Sequence, residues 1–408
     1  MKSKGISQLA CTVIHHVLLI LALSSLSLAS HGCRRGTLLL GAVACQGLGG
    51  PARPAASDPW AFNGLDARTA PRIRPGSYAS VTQGVRFLDP DSLGRHGYWL
   101  NWSERNGIVY TCKAGHIDIA HVRKAVDWTG YLAALTLECV AHGRTEFQFK
   151  GREPSLYHVQ LTYPENWERL PLPERVRVAR EVSRSLGQYL GYTAMTWHEI
   201  LTWFGFRPQG YKSEFPSAFS WEDTYSNLLG THIAARALRA EDRDFSEAVT
   251  SILEETLEML EVRSAQEAKR TTDTVRGRWF TKKGLFPVIV KRHLDLGYND
   301  GYVSPCLVSD SRACRGRQAH RLPVPTLDCL AQYGFSTKLK IEPRVWENKR
   351  ILKVVFPEGP ILGRRIEPAA HFPRIMDYIA TEAIHRYGHD IGPDGLLTVH
   401  TSGSAGGT

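Results

Sequence analysis

Apolar residues recur every three or four positions in four stretches of the chain, a spacing that is typical of amphipathic helices. The stretches are residues 116–140, 173–190, 244–269 and 373–387. Gly388 follows the last stretch, and glycine commonly occupies the position just after a helix. The spacing therefore predicts a protein whose core is largely helical.

Shorter segments alternate apolar and polar residues, which is the pattern of half-buried strands. Residues 145–149 and 157–162 predict one hairpin, and residues 337–341 and 350–356 predict another. Together with the helices, these segments predict an α+β fold. It would have a central helical core with small antiparallel sheets or hairpins around it.

The block between residues 193 and 238 places ionisable residues inside otherwise apolar segments. Thr196-x-x-Glu199 and Ser220-x-x-Asp223 both have the spacing of a capping box, in which the acid accepts a hydrogen bond from a backbone N–H at a helix start. This spacing predicts two further helices, starting near Thr196 and Ser220. Helix capping alone would account for Glu199 and Asp223.

Composition favours a folded protein without a nucleic-acid partner. The 408 residues are 43% hydrophobic and 22% charged, as in globular proteins with a core. The formal net charge is +10, but the basic residues are scattered and form no basic helix with interleaved aromatic residues. Residues 76–395 are predicted to form a single α+β domain between a flexible linker at 46–75 and a disordered tail at 396–408.

The amino terminus has the features of a bacterial export signal. Lys2 and Lys4 precede an apolar run at residues 13–29 that ends in small residues. A second, shorter apolar run leads to Cys45, as in lipoprotein signals whose cysteine is lipidated. Residues 1–45 are therefore interpreted as a signal for export to the cell envelope, periplasmic or outer-membrane, with a lipid anchor on Cys45. The alternative is an ordinary signal peptide and a soluble secreted protein.

The remaining cysteines fit an oxidising compartment. Cys306 and Cys314 lie close together in a loop rich in Pro, Ser and Arg, and they are the disulfide candidates, although spacing alone does not fix the connectivity. No Cys-x-x-Cys pair occurs, so the sequence does not support a zinc ribbon or a thioredoxin-like site.

Polar residues of the central helices are candidates for a functional site, because we expect several of them to converge in one pocket among three helices. The predicted catalytic residues are His121, Asp118, His198, Glu199, Glu222 and Asp223, and the predicted supporting residues are Arg123, Ser226 and Asn227. Such a pocket could use a His–carboxylate pair for general acid–base catalysis. It could also bind a divalent metal, Zn²⁺ or Mn²⁺, through His121 and His198. A hydrogen-bonded structural role is the alternative for His121.

Three segments resemble a family of exported bacterial proteins. They are Asp-x-x-His-x-Arg at residues 118–123, Trp-His-Glu-Ile-x-Thr-Trp at residues 197–203 and Ser-Ala-Phe-Ser-x-Glu-Asp-x-x-Ser-Asn at residues 217–227. That family is known only as a domain of unknown function, and many of its members look like lipoproteins. The resemblance covers roughly residues 90–375. It implies an envelope location and implies no activity.

Two functions are compatible with these observations. The first is an envelope hydrolase, metal-assisted or based on a His–carboxylate pair, that acts on an envelope peptide, glycan or lipid. The second is a non-catalytic lipoprotein that binds an envelope glycan or protein through the aromatic residues clustered between residues 197 and 221. The sequence alone does not decide whether the protein is an enzyme.

Overall fold

The computed structural model of the chain describes residues 58–74, 86–99, 101–151, 153–205, 215–283, 286–309, 311–344, 348–359 and 364–388. The predicted signal, Cys45 and the predicted tail lie outside these ranges. Within them the chain folds into eight α-helices and ten β-strands. The sheets are small and antiparallel, which confirms the α+β class.

The helices begin and end as follows. They are α1 (Ile119–Ala141), α2 (Leu172–Trp203), α3 (Asp223–Ala237), α4 (Phe245–Met259), α5 (Ala265–Thr274), α6 (Asp328–Gln332), α7 (Asn348–Val355) and α8 (Pro368–Tyr387). In the part of the chain described, no helix is both long enough and apolar enough to span a bilayer.

The strands are mostly short. They are β1 (Ile108–Thr111), β2 (Gly115–Asp118), β3 (Glu146–Lys150), β4 (Leu156–Thr162), β5 (Val262–Arg263), β6 (Phe280–Lys283), β7 (Phe286–Ile289), β8 (Tyr302–Val303), β9 (Leu322–Pro323) and β10 (Ser336–Glu342). One sheet has the order β2-β1-β5 and another the order β10-β4-β3, with two-stranded pairs β6-β7 and β8-β9.

The predicted hairpin of residues 145–162 is confirmed by β3 and β4, which pair with Phe147 opposite Val159. The second predicted hairpin is wrong. β10 pairs with β4, and residues 348–355 form helix α7. Ile351, Leu352 and Val355 are buried there, because positions three and four apart share one helix face.

Helix α1 is the centre of the helical core, since α2 and α3 both pack against it. Glycines allow the close approach. A Cβ at Gly187 of α2 would lie 2.6 Å from the Ala133 nitrogen, and one at Gly230 of α3 would collide with the carbonyl oxygen of Val122. The small residues thus fix how closely the helices that carry the candidate site can approach each other.

Helix α2 runs unbroken for 32 residues. A helix ending near residue 190 and another starting near Thr196 were predicted, and this division is wrong. Gly191 lies inside the helix, where a Cβ would collide with the Thr129 hydroxyl, so it is a packing residue rather than a helix end. Glu199 is therefore in the last turns of a long helix and does not cap a helix start.

Residues 58–74 were expected to belong to a flexible linker, but they pack onto the domain. Phe62 and Leu65 are each 3% exposed and join the main hydrophobic core. The backbone N–H of Phe245 also donates to the carbonyl oxygen of Asn63 at 3.1 Å. This segment is part of the folded structure.

One disulfide joins Cys112 to Cys314, with their Cα atoms 4.9 Å apart. The predicted bond between Cys306 and Cys314 is wrong, because Cys314 is already bonded to Cys112. Sequence proximity favoured Cys306, whereas the fold brings together two cysteines that are 202 residues apart.

Candidate metal site

The candidate site begins at the junction of β2 and α1. Asp118 is the N-cap residue of α1, and its Oδ1 accepts hydrogen bonds from the backbone N–H groups of Ala120 at 2.7 Å and His121 at 3.3 Å. Its Oδ2 lies 3.0 Å from Nδ1 of His121, one turn into the helix. Asp118 thus caps the helix and orients the imidazole at the same time.

Asp223 approaches the same imidazole from the start of α3. Its Oδ2 accepts a hydrogen bond from the backbone N–H of Ser220 at 3.0 Å, as the predicted capping interaction requires. Its Oδ1 lies 3.4 Å from Nδ1 of His121. Helix capping uses one carboxylate oxygen, so the other is directed at His121.

Glu199 reaches the site from α2. Its Oε2 accepts a hydrogen bond from the backbone N–H of Phe219 at 2.9 Å. Phe219 has φ of 52°, a left-handed conformation that is uncommon for a bulky residue and costs energy. This contact spans the loop before α3, so Glu199 helps to hold the turn that positions Asp223.

His121, Glu199 and Asp223 each offer one ligand-type atom, and these atoms lie within 4.8 Å of one another. Ligands of a tetrahedral ion with bonds of about 2.1 Å are separated by about 3.4 Å, so atoms at the far end of the 4.8 Å range would have to move closer to share one ion. Glu199 and Asp223 are buried, and the His121 side chain is 16% exposed. The three residues could hold one divalent ion, with access from the His121 side.

Carboxylates around His121 control its charge. Burial lowers the pKa of His121, but attraction to Asp223 and Asp118 outweighs it and raises the pKa to about 9. Burial raises the pKa of Asp223 to about 7 even though His121 opposes the shift. At neutral pH the imidazole and the nearest acids therefore compete for protons.

Glu222 adds a further acid to this cluster. It is 3% exposed, and its Oε2 has no hydrogen-bond partner among the described residues. Burial and repulsion by Asp223 and Asp118 raise its pKa well above the usual value. Glu222 therefore retains a proton at a pH where most glutamates are ionised.

Two predicted site residues lie elsewhere. His198 was expected beside His121, but its Nδ1 lies 2.6 Å from Oε1 of Glu153. Successive helix residues point about 100° apart, and on α2 it is the next residue, Glu199, that points into the site. Arg123 was expected as a supporting residue. It donates instead to the carbonyl oxygens of Arg105 at 2.7 Å and Gly94 at 2.9 Å, on the far side of α1.

The other two predicted supporting residues lie on α3 and are buried. The Ser226 hydroxyl oxygen accepts a hydrogen bond from the backbone N–H of Asp118 at 3.0 Å and so ties α3 to the start of α1. Asn227 is 3% exposed, and its Oδ1 has no hydrogen-bond partner in the described ranges.

Aromatic residues of the central block are core residues. Trp197, Phe219 and Trp221 are each at most 1% exposed, and Trp203 is 2% exposed. They therefore offer no surface on which a sugar ring could stack.

Sequence reasoning missed Lys124 and Glu153, which line a cavity beside the site. Lys124 did carry a signal, because it falls four residues after Ala120 and four before Trp128, on the apolar face of α1. No sequence pattern pointed to Glu153, because it lies in the short connection between two strands.

Comparison with known proteins identifies a family. No curated protein and no solved structure matches the chain. One family, described as "Protein of unknown function (DUF4056)", matches residues 90–304, more than half of the chain. That range contains Asp118, His121, Glu199, Glu222 and Asp223. The chain belongs to the DUF4056 family.

Proposed function

We propose that the protein is a bacterial cell-envelope hydrolase that binds one divalent metal ion, Zn²⁺ or Mn²⁺, through His121, Glu199 and Asp223. The observation that carries this proposal is the gathering of their ligand-type atoms within 4.8 Å. Imidazole nitrogen and carboxylate oxygen are both ligands of Zn²⁺ in proteins.

The charge of the cluster supports a bound cation. Four carboxyl groups, those of Asp118, Glu199, Glu222 and Asp223, surround a single imidazole. Buried carboxylates are costly unless they are paired or bind a metal. Glu222 keeps its proton, and a divalent ion would offset the negative charge that one imidazolium leaves unbalanced among Asp118, Glu199 and Asp223.

The remaining residues suit hydrolysis. A divalent ion polarises a carbonyl or phosphoryl oxygen and lowers the pKa of bound water. Asp118 would fix the orientation of His121 through its contact at 3.0 Å. Glu222, with its raised pKa, would hold a proton for the leaving group.

The exposure of the side chains around the site indicates where a substrate would enter. The His121 side chain is 16% exposed, while the side chains of Asp118 and Asp223 are 5% and 4% exposed. A substrate would therefore approach over His121. The predicted export signal makes envelope peptides, glycans and lipids the substrates to test first.

An activity assay tests this proposal. Metal-stripped protein is reloaded with Zn²⁺ or Mn²⁺ and assayed on peptide, glycoside and ester substrates. We expect metal-dependent hydrolysis of one class and at least about a 100-fold loss in Glu199→Gln, since a ligand is removed. Glu254→Gln, the same change on the exposed face of α4, is the control. Hydrolysis that survives both metal removal and Glu199→Gln would contradict the proposal.

A further inference from the structure

Arg292 is a buried arginine in the segment that follows β7. The residue is 0% exposed, and burying a guanidinium group is costly unless its N–H groups are hydrogen-bonded. Its Nη1 donates to the carbonyl oxygen of Ala218 at 2.5 Å, and its Nη2 donates to that of Ile289 at 3.0 Å. One guanidinium group thus joins the loop before α3 to the end of β7.

The backbone of the same segment also pairs with this loop. Ser220 and Arg292 form an isolated antiparallel bridge. The backbone N–H of His293 donates to the carbonyl oxygen of Phe219 at 2.8 Å, and the Thr224 hydroxyl donates to the carbonyl oxygen of His293 at 2.7 Å. Residues 292 and 293 therefore contact the loop on both sides of Phe219 and reach the first turn of α3.

The loop needs such contacts because Phe219 has a left-handed backbone, which costs energy for a bulky residue. The N–H of Phe219 is taken by Glu199, and its carbonyl oxygen is taken by His293. Asp223 lies four residues further on and closes the turn by accepting from the N–H of Ser220. The shape of this loop therefore determines where Asp223 lies in the candidate site.

The surroundings of Arg292 fix the position of its guanidinium group. Its Cζ lies 5.8 Å from the centre of the Trp203 ring and 5.2 Å from that of Tyr387, whose hydroxyl accepts a further hydrogen bond at 3.3 Å. Burial lowers the pKa of this guanidinium group, and attraction to Tyr387, Asp223 and Glu199 opposes that shift. The positive charge thus interacts with two of the three candidate metal ligands.

We infer that Arg292 is a positioning residue of the candidate site, whose paired hydrogen bonds hold residues 218–223 in the shape that brings Asp223 to His121. A lysine could supply the charge but not the pair, because the planar guanidinium group presents its donors in a fixed geometry that an ammonium group lacks. That the positioned residues bind a metal rests on the proposed function, whereas the dependence of the loop on Arg292 does not.

Amide hydrogen exchange of the metal-free protein tests the inference without relying on a metal. Arg292→Met removes the hydrogen bonds and the charge, and Arg292→Lys keeps the charge. We expect both variants to exchange the amide protons of residues 218–223 at least about tenfold faster than the parent, and those of β3 and β4 at the rate of the parent.

Arg123→Met is the matched control. Arg123 is also 0% exposed and also donates to backbone carbonyl oxygens, but these belong to residues between 93 and 105. Its replacement should leave the exchange of residues 218–223 unchanged. In a calorimetric titration with Zn²⁺, we expect at least about a tenfold weaker affinity in both Arg292 variants and the affinity of the parent in Arg123→Met.

Each outcome bears on the inference. Unchanged exchange of residues 218–223 in Arg292→Lys, or an equal increase along the whole chain, would overturn it. Should Arg292→Met fail to fold by circular dichroism, Arg292→Lys decides. Metal binding that is equally tight in the parent and in the Arg292 variants would overturn the inference and leave the proposed function standing. A local increase in exchange in a protein that binds no metal would support the role of Arg292 and refute the proposed hydrolase.

Discussion

At the scale of single residues, the candidate site consists of an imidazole between two carboxylates. Nδ1 of His121 lies 3.0 Å from Asp118 and 3.4 Å from Asp223. A proton on the ring and a metal ion beside it would compete for the same negative charge. The protonation of His121 should therefore affect both folding and metal binding.

The raised pKa of His121 makes the stability of the metal-free protein depend on pH. The pKa is about 9 in the fold and 6.5 in the unfolded reference, so the stabilisation is complete below pH 6.5 and is lost as the pH rises through 9. We expect urea unfolding to show a loss of about 2–3 kcal/mol between these values. The His121→Gln variant should lose clearly less stability over the same pH range. An equal loss in both proteins would contradict the raised pKa of His121.

Glu222 should also make the fold less stable as the pH rises, because its side chain is buried among other acids. A carboxyl with a raised pKa destabilises the fold as the pH rises above the unfolded value of 4.5. We expect Glu222→Gln to stabilise the metal-free protein by about 1–3 kcal/mol at pH 7 and to have little effect near pH 4. Glu254→Gln, on the surface, should change stability by less than about 0.5 kcal/mol. A less stable Glu222→Gln at pH 7 would contradict the assignment.

Sequence spacing could identify several of these residues but not the direction in which each side chain points. Asp118 and His121 share one helix face, which their separation of three predicts. His198 and Arg123 are also polar residues in the same segments, yet one contacts Glu153 and the other contacts backbone carbonyls. Which of two adjacent polar residues faces the site depends on the rotation of the helix, and packing determines that rotation.

At the scale of secondary structure elements, the site depends on how closely α3 approaches α1. Gly230 lies against the Val122 backbone, where a Cβ would collide with the carbonyl oxygen. Replacing glycine by alanine usually stabilises a helix. At Gly230 the close packing should make the same replacement destabilising.

We therefore expect Gly230→Ala to lower the free energy of unfolding by about 1–3 kcal/mol, because α3 must move away from α1. It should also weaken metal binding, since Asp223 moves with α3. Gly143→Ala is the comparison, because it has no neighbour within 4 Å and changes only a left-handed backbone position. It should leave metal binding intact. An increase in stability for Gly230→Ala would show that the helices are less tightly packed.

Element boundaries were predicted well where a single pattern was strong. The hairpin of β3 and β4 is an example, and α8 ends at the residue before Gly388, as predicted. Helix α2 was divided in the prediction because Thr196-x-x-Glu199 resembles a helix start. That spacing is equally compatible with the middle of a helix when tertiary contacts satisfy the acid, as Phe219 does for Glu199.

At the scale of the whole molecule, the disulfide connects the family domain to the rest of the chain. Cys112 lies inside the matched range of residues 90–304, and Cys314 lies beyond it. We expect peptide mapping of the oxidised protein to find the Cys112–Cys314 bond. Reduction should lower stability by about 2–4 kcal/mol. A Cys306–Cys314 peptide would contradict the observed fold.

A metal titration decides whether His121, Glu199 and Asp223 form a metal site. Metal-stripped protein is titrated with Zn²⁺ and Mn²⁺ by calorimetry, alongside His121→Gln and His198→Gln. Both variants remove a histidine from the core helices, but only His121 belongs to the group of ligand atoms within 4.8 Å. We expect one ion per chain in the parent and in His198→Gln, and at least about a tenfold weaker affinity in His121→Gln. No binding by the parent, or equal affinity in His121→Gln, would contradict the account.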